Sequence, residues 1–134
     1  MRDAAYGGPG AMAPPEGLLA SAKFSEVFVW VKNLRKMRAF YHETLGLPIA
    51  YENERFVELR TGGVPIALHS GRKAVGRSKP HWFLEFVVRD LDATIRMLRA
   101  RGVTCERVRE EPFGRISSFV DPEGNVIGLE ESSR

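Results

Sequence analysis

Two segments of the chain place aromatic and acidic side chains at alternate positions, as one face of a β-strand would. Glu26, Phe28 and Trp30 alternate with a run of valines, and Phe83 and Glu85 stand in a second segment of the same character. Because successive side chains of a strand point to opposite faces, each set shares one face. Aromatic rings with a few polar groups are typical of small-molecule sites, and carboxylates also suit divalent cations. The candidate chemistry is therefore recognition of a small molecule, with or without a metal ion.

The composition is that of one ordinary globular domain. The chain has 134 residues, of which 43% are hydrophobic and 28% charged, so it can bury a core. It contains no apolar run that could span a membrane and no apolar segment near its start, so we expect neither membrane insertion nor a secretory signal. The net charge of +3 is too small to indicate a nucleic-acid partner, although it would favour anionic small molecules. The single cysteine, Cys105, cannot form an internal disulfide, which indicates a cytoplasmic protein.

The elements that must position these side chains follow a tail at residues 1–22, which is rich in Gly, Ala and Pro and is expected to be flexible. A first strand runs to Val31, and Asn33 is a suitable N-cap for a helix whose apolar stripe runs from Leu34 to Leu45. Gly46 stands where a left-handed C-cap is expected. Three short strands are predicted at 47–52, 55–60 and 64–69, and a basic linker at 71–80.

A second cycle of the same kind follows the linker. A strand at 81–88 leads to the N-cap Asp90, a helix at 91–101 and the C-cap Gly102, before strands at 104–109, 114–120 and 125–131. The stretch Val31-Lys32-Asn33-Leu34 recurs as Val88-Arg89-Asp90-Leu91, so a βαβββ order occurs twice; coincidence between two strand–helix units is the alternative. The sequence predicts an α+β fold of one domain, 23–134, with module one at 23–70 and module two at 81–131.

The most specific motif is FVDPEGNVIGL at 119–129, in which two apolar strands flank the turn-forming residues Asp-Pro-Glu-Gly-Asn. Together with VKNLRKMRAFYHETLGL at 31–47, it resembles the vicinal-oxygen-chelate superfamily, which includes glyoxalase I, bleomycin-resistance proteins and extradiol dioxygenases. This resemblance covers residues 23–131. It implies paired βαβββ modules whose strands form a curled mixed sheet around a cleft, and a homodimer in which small members pair modules across two chains.

Enzymes of that superfamily hold a divalent metal through four side chains in the cleft. The resemblance places the four positions at Glu26, Ala67, Phe83 and Gly128, where the family typically has His or Gln, Glu, His and Glu. Alanine, phenylalanine and glycine side chains cannot coordinate a metal. We therefore expect no metal ion, no other cofactor and no assigned catalytic residue.

With the metal positions lost, the chain resembles the bleomycin-resistance branch, which implies an antibiotic-resistance type of function. The predicted function is metal-independent binding or sequestration of a small planar or aromatic molecule, with no nucleic-acid or membrane partner. Positions two residues away along a strand face the same cleft, which adds further candidates. The predicted ligand-binding residues are Glu26, Phe28, Trp30, Ala67, His69, Phe83, Glu85 and Gly128.

Two alternatives remain open at this point. One is a metal-dependent lyase, isomerase or dioxygenase with a displaced site formed by Glu26, His69 and Glu85, with or without Glu130. The other is a subunit that binds no ligand and whose aromatic side chains only pack. His81 shares the phase of Phe83 but can equally be a strand-end residue.

Overall fold

A computed structural model describes residues 18–20, 22–71 and 82–133 of the chain. The predicted tail at 1–22, the predicted linker at 71–80 and His81 lie largely or wholly outside these described residues. None of the helices within the described ranges is long and apolar enough to cross a membrane.

The described residues form two modules of the predicted βαβββ order. Module one consists of β1 (Val27–Val31), α1 (Leu34–Arg38) continued by a π-helical segment (Ala39–Thr44), β2 (Ile49–Asn53), β3 (Phe56–Leu59) and β4 (Ile66–Ser70). Module two consists of β5 (Phe83–Val87), α2 (Leu91–Ala100), β6 (Arg109–Glu111), β7 (Gly114–Val120) and β8 (Val126–Ser132).

Each module contributes one four-stranded mixed sheet. The strand order is β1-β4-β3-β2 in module one and β5-β8-β7-β6 in module two. The pairs β1–β4 and β5–β8 are parallel, and the remaining pairs are antiparallel. The predicted α+β fold with two βαβββ modules is therefore confirmed, and the described strands do not close into a barrel.

The helix starts predicted from local signals are confirmed by the hydrogen bonds of their caps. The side chain of Asn33 accepts a bond from the N–H of Lys36, and that of Asp90 accepts one from the N–H of Ala93. These bonds satisfy N–H groups that have no partner within the helix. In each module the N-cap therefore follows a valine, Val31 or Val88, by two residues, and the helix begins at the next residue.

Two elements differ from the sequence prediction. The strand predicted at 104–109 lies instead at Arg109–Glu111, because the preceding segment buries Cys105 and contacts β7 only through isolated bonds such as Glu106 N–H to the Ser118 oxygen. The first helix also widens into a π-helix, in which the N–H of Leu45 bonds to the oxygen of Phe40.

The core lies on the helix side of both sheets. In β1, Val29 and Val31 are buried, whereas Phe28 on the opposite face is 50% exposed. This confirms the predicted phase of β1, and Trp82 is likewise buried on the helix side. Residues of both modules share this single core, so the sheet faces away from the helices stay open; the largest fully buried side chains are Tyr41, Met37, Leu59, Leu68, Leu91, Ile127 and Val57.

Candidate functional site

The open face of module one carries three of the predicted side chains in direct contact. Phe28 and Trp30 of β1 lie opposite Ala67 and His69 of β4 in the strand register. The ring centroids of Trp30 and His69 are 4.2 Å apart, and those of Phe28 and Trp30 are 5.8 Å apart. Ala67 is fully buried beneath them, so it contributes an apolar surface and no polar group.

Three further residues of this face were missed by the sequence analysis. Phe56 lies opposite His69, with ring centroids 5.6 Å apart, and Tyr51 contacts Phe56 at 6.2 Å. Glu58 lies opposite Ala67 and is half-buried. In β3, Val57 and Leu59 are buried, so the period of two indicates that Phe56 and Glu58 point away from the core. Only the pairing of β3 with β4 places these two residues beside His69 and Ala67.

These ring contacts form a continuous surface, which we call the aromatic face and define by Phe28, Trp30, Tyr51, Phe56 and His69. His69 lies at its centre and contacts three of the other rings. The Nδ1 atom of His69 lies 3.0 Å from the backbone oxygen of Ser70, which holds the ring in place. The aromatic face can stack against a flat apolar molecule.

Glu26 precedes β1 by one residue and shares the phase of Phe28. It is half-buried, and its carboxylate has no hydrogen-bond or ion-pair partner among the described residues. The carboxylate can therefore accept a bond from a ligand at the end of the aromatic face, as the sequence analysis expects.

The open face of module two carries the other predicted residues. In β5, Phe83 and Val87 are 66% and 69% exposed, and Glu85 between them is also exposed. Glu85 lies opposite Gly128 of β8, and Ser118 of β7 lies on the other side of Gly128. A Cβ atom at Gly128 would lie 3.4 Å from the Phe83 ring, so the absence of a side chain there lets that ring lie close over β8.

The two open faces lie on different sheets of the same chain. Within residues 22–71 and 82–133, no ring contact, hydrogen bond or ion pair joins the aromatic face to Phe83, Glu85 or Gly128. The structure thus brings Phe28, Trp30, Ala67 and His69 together, and separately Phe83, Glu85 and Gly128. A single chain therefore presents these residues as two separate groups.

The described residues do not form a metal site. Of the four family positions, only Glu26 has a donor side chain, since Ala67, Phe83 and Gly128 have none. In the part of the chain that the structure describes, no group of three or more His, Cys, Asp or Glu side chains is arranged to hold an ion. The displaced set of Glu26, His69 and Glu85 is split between the open faces of the two sheets, so these residues do not fit a metal within one chain.

A buried polar network fixes the two modules to each other behind the open faces. The Tyr41 hydroxyl donates to Oδ2 of Asp121 at 2.7 Å and accepts a bond from Nε1 of Trp82 at 3.1 Å. Asp121 also accepts bonds from the N–H groups of Glu123 and Asn125 and from the Asn125 side chain. Burial, reinforced by the bond to Asp121, raises the pKa of the Tyr41 phenol, so this donor stays protonated.

The same hairpin also binds the backbone between β1 and the helix of module one. The Glu123 carboxylate accepts bonds from the N–H groups of Lys32 and Asn33 at distances between 2.8 and 3.1 Å. Asn125 accepts a bond from the N–H of Trp82, directly before β5. The Asp-Pro-Glu-Gly-Asn turn therefore orients the first strand of each module, and with it Trp30 and Phe83.

Comparisons with known proteins assign the chain to one family. Residues 23–129 match the model of the Glyoxalase/Bleomycin resistance protein/Dioxygenase superfamily. The chain is 30% identical over 123 residues to the uncharacterized protein YraH of Bacillus subtilis (strain 168), a match that covers 80% of this chain and 96% of YraH. It is 34% identical over 101 residues to the anthracycline biosynthesis protein DnrV of Streptomyces peucetius, covering 70% of this chain but only 37% of DnrV.

Solved structures show the same architecture. The crystal structure of TnmS3, an antibiotic binding protein from Streptomyces sp. CB03234, has a TM-score of 0.67 and 28% identity, and the match covers 84% of this chain and 98% of TnmS3. The crystal structure of SMU.1112c has a TM-score of 0.69 at 22% identity, covering 81% of this chain and 98% of that one. The second similarity concerns the fold alone.

Proposed function

Because the chain belongs to the glyoxalase/bleomycin resistance protein/dioxygenase superfamily, we propose that it binds a small planar aromatic molecule against its open sheet faces, without a metal ion and without chemical conversion. The observation that carries this proposal is the aromatic face, five side chains in continuous ring contact on the side of the sheet away from the core. These rings lie outside the core, so the packing of a single chain does not explain their presence on this face. A ligand that stacks on them gains apolar burial and ring contacts.

The relatives support the class of ligand. TnmS3 is an antibiotic binding protein and DnrV acts in anthracycline biosynthesis, and anthracyclines contain a flat system of fused rings. In this chain, Phe28, Trp30 and Phe83 would stack on the ligand, while Glu26 and Glu85 would orient it through hydrogen bonds. The match to DnrV covers about a third of that protein, so it supports a ligand class and not a shared pathway step.

A thermal-shift screen of flat polycyclic compounds tests the proposed binding in the presence of a chelator. A compound that binds only the folded protein raises its melting temperature, by an amount that grows with ligand concentration. We expect several fused-ring compounds to raise the melting temperature, whereas aliphatic compounds of equal size do not. If no fused-ring compound has an effect, the aromatic side chains serve only packing.

We also propose that the functional unit is a homodimer, in which module two of one copy covers the aromatic face of the other. The proposal is supported by Phe28, Phe83 and Val87, which are at least half exposed on faces that no other part of the described chain covers. Such faces indicate an interaction surface, and two-fold pairing is the commonest assembly. Each of the two binding sites would then be formed by the aromatic face of one copy and the open face of module two of the other.

Light scattering at tens of micromolar is expected to give the mass of two chains. Val87→Asp should shift the protein towards monomer, because it introduces a charge on the apolar part of the module-two face. Met97→Asp is the matched control, since Met97 is 57% exposed on α2, away from the sheet faces. A wild-type monomer, or equal dissociation by both variants, would contradict the proposed interface.

Protein purified without a metal-affinity tag is expected to contain well below one equivalent of Zn, Ni, Mn or Fe by elemental analysis. The reason is that Ala67, Phe83 and Gly128 supply no ligand atoms and a single carboxylate binds such ions weakly in water. One full equivalent, lost on replacement of His69 or Glu85 by alanine, would favour the metal-dependent enzyme instead.

A further inference from the structure

Within the described strands, the side chains on the open faces carry a net negative charge, opposite in sign to that of the whole chain. The net charge is +3, but the four strands of module one, VFVWV, IAYEN, FVEL and IALHS, contain no Lys or Arg. Of their two glutamates, Glu52 is paired with Arg38 of α1 at 2.7 Å. Glu58 is therefore the one carboxylate within these strands that is left for a ligand.

Glu58 lies on the same side of the sheet as the aromatic face, next to Tyr51 and Phe56. Its register partners are Ala67 on one side and Tyr51 on the other, and Phe56 is two residues before it on the same face. Glu58 is half-buried and has no hydrogen-bond or ion-pair partner among the described residues. A carboxylate beside aromatic rings lets a bound cation form an ion pair and also contact the face of a ring.

Module two repeats this charge pattern. Glu85 and Glu130 lie on its open face, and the side chains of both lack a partner within the described ranges. The one arginine whose register places it on this face, Arg109, lies 3.4 Å from Glu111 and is thereby neutralised. Arg115 points to the helix side, where it bonds Asp92.

We propose that the site selects a planar aromatic cation, a fused-ring molecule bearing a protonated amine, with Glu58 of the aromatic face as the counter-ion; this rests on the proposed function. The preference runs against the long-range field of a chain with net charge +3, which by itself would attract anions. A preference for cations would therefore be caused by the side chains at the site and not by the net charge of the chain.

Three anthracenes that differ in one substituent test this charge preference. The aminomethyl compound is a cation at neutral pH, the hydroxymethyl compound is neutral and the carboxylate is an anion. Binding is measured by the anisotropy of the anthracene fluorescence. We expect the cation to bind about tenfold tighter than the alcohol, and the anion to bind most weakly.

Glu58→Gln keeps the shape of the side chain and removes its charge. It should weaken binding of the cation about fivefold to tenfold and change binding of the alcohol less than twofold. Glu43→Gln is the matched control, because Glu43 is exposed on the π-helical segment and its loss changes the net charge equally. Should Glu58→Gln fail to fold, added salt provides the same comparison, since it weakens only the charged interaction.

The outcomes separate the two proposals. If none of the three anthracenes binds, the proposed function itself is wrong. If the alcohol or the carboxylate binds as tightly as the cation, the function stands and the charge preference is wrong. A cation preference that Glu58→Gln or salt leaves unchanged would overturn the role given to Glu58.

Discussion

Trp30→Ala is expected to weaken binding of the aminomethyl anthracene about 30-fold to 100-fold, which corresponds to a loss of about 2–3 kcal/mol. Trp30 has the largest ring of the aromatic face, and its centroid lies 4.2 Å from that of His69 and 5.8 Å from that of Phe28. The substitution removes the ring that a flat ligand would cover and leaves a gap beside His69. The affinity is measured by anisotropy, as for the charge series.

The matched control is Phe113→Ala, which removes an aromatic ring that is 44% exposed between β6 and β7. It should leave the affinity within twofold of the wild type. The stability of both variants is measured by urea unfolding, and Trp30→Ala should lower it only modestly because the ring is half-buried. Lost stability with unchanged affinity would identify Trp30 as a packing residue.

Asp121→Ala is expected to lower the free energy of unfolding by about 3–5 kcal/mol. Asp121 is 3% exposed and accepts bonds from the Tyr41 hydroxyl, from two backbone N–H groups and from the Asn125 side chain. Alanine would leave these donors without an acceptor in a buried place, and each unsatisfied donor costs about 1–3 kcal/mol before relaxation and water entry. Urea unfolding followed by circular dichroism measures the change.

Two further variants show whether the network carries this effect. Tyr41→Phe removes one donor and keeps the ring, so it should cost less than Asp121→Ala. Asp92→Ala removes an exposed carboxylate that binds Arg115 at the surface, and its effect should be small. Equal destabilisation by Asp121→Ala and Asp92→Ala would rule out a special role for the buried network.

Features set by neighbouring residues could be predicted from the sequence. Asn33 and Asp90 cap their helices through bonds that span three residues, and the alternation in β1 separates Val29 in the core from Phe28 outside it. The turn of the 119–129 hairpin is likewise local, since Asp121 accepts bonds from residues two and four positions later. Such contacts depend on short-range geometry, which the residue types determine.

Features set by distant residues could not be predicted. Glu58 and Phe56 belong to the site only because β3 pairs with β4 in a register that matches Phe56 to His69. A shift of this register by one residue would have turned the side chains of Phe56 and Glu58 towards the core. Phe83 and Trp30 stand on different sheets, and the two modules contact each other through Tyr41 and Asp121, which lie 80 positions apart in the sequence.

We expect this chain to bind a planar aromatic molecule without a metal ion. Calorimetric titration of the aminomethyl anthracene into the protein, before and after exhaustive treatment with a chelator, measures this binding. We predict saturable binding of one molecule per chain, with the same affinity in both preparations. Binding that is absent from both, or that disappears with the chelator and returns when a divalent metal is added, would contradict the claim.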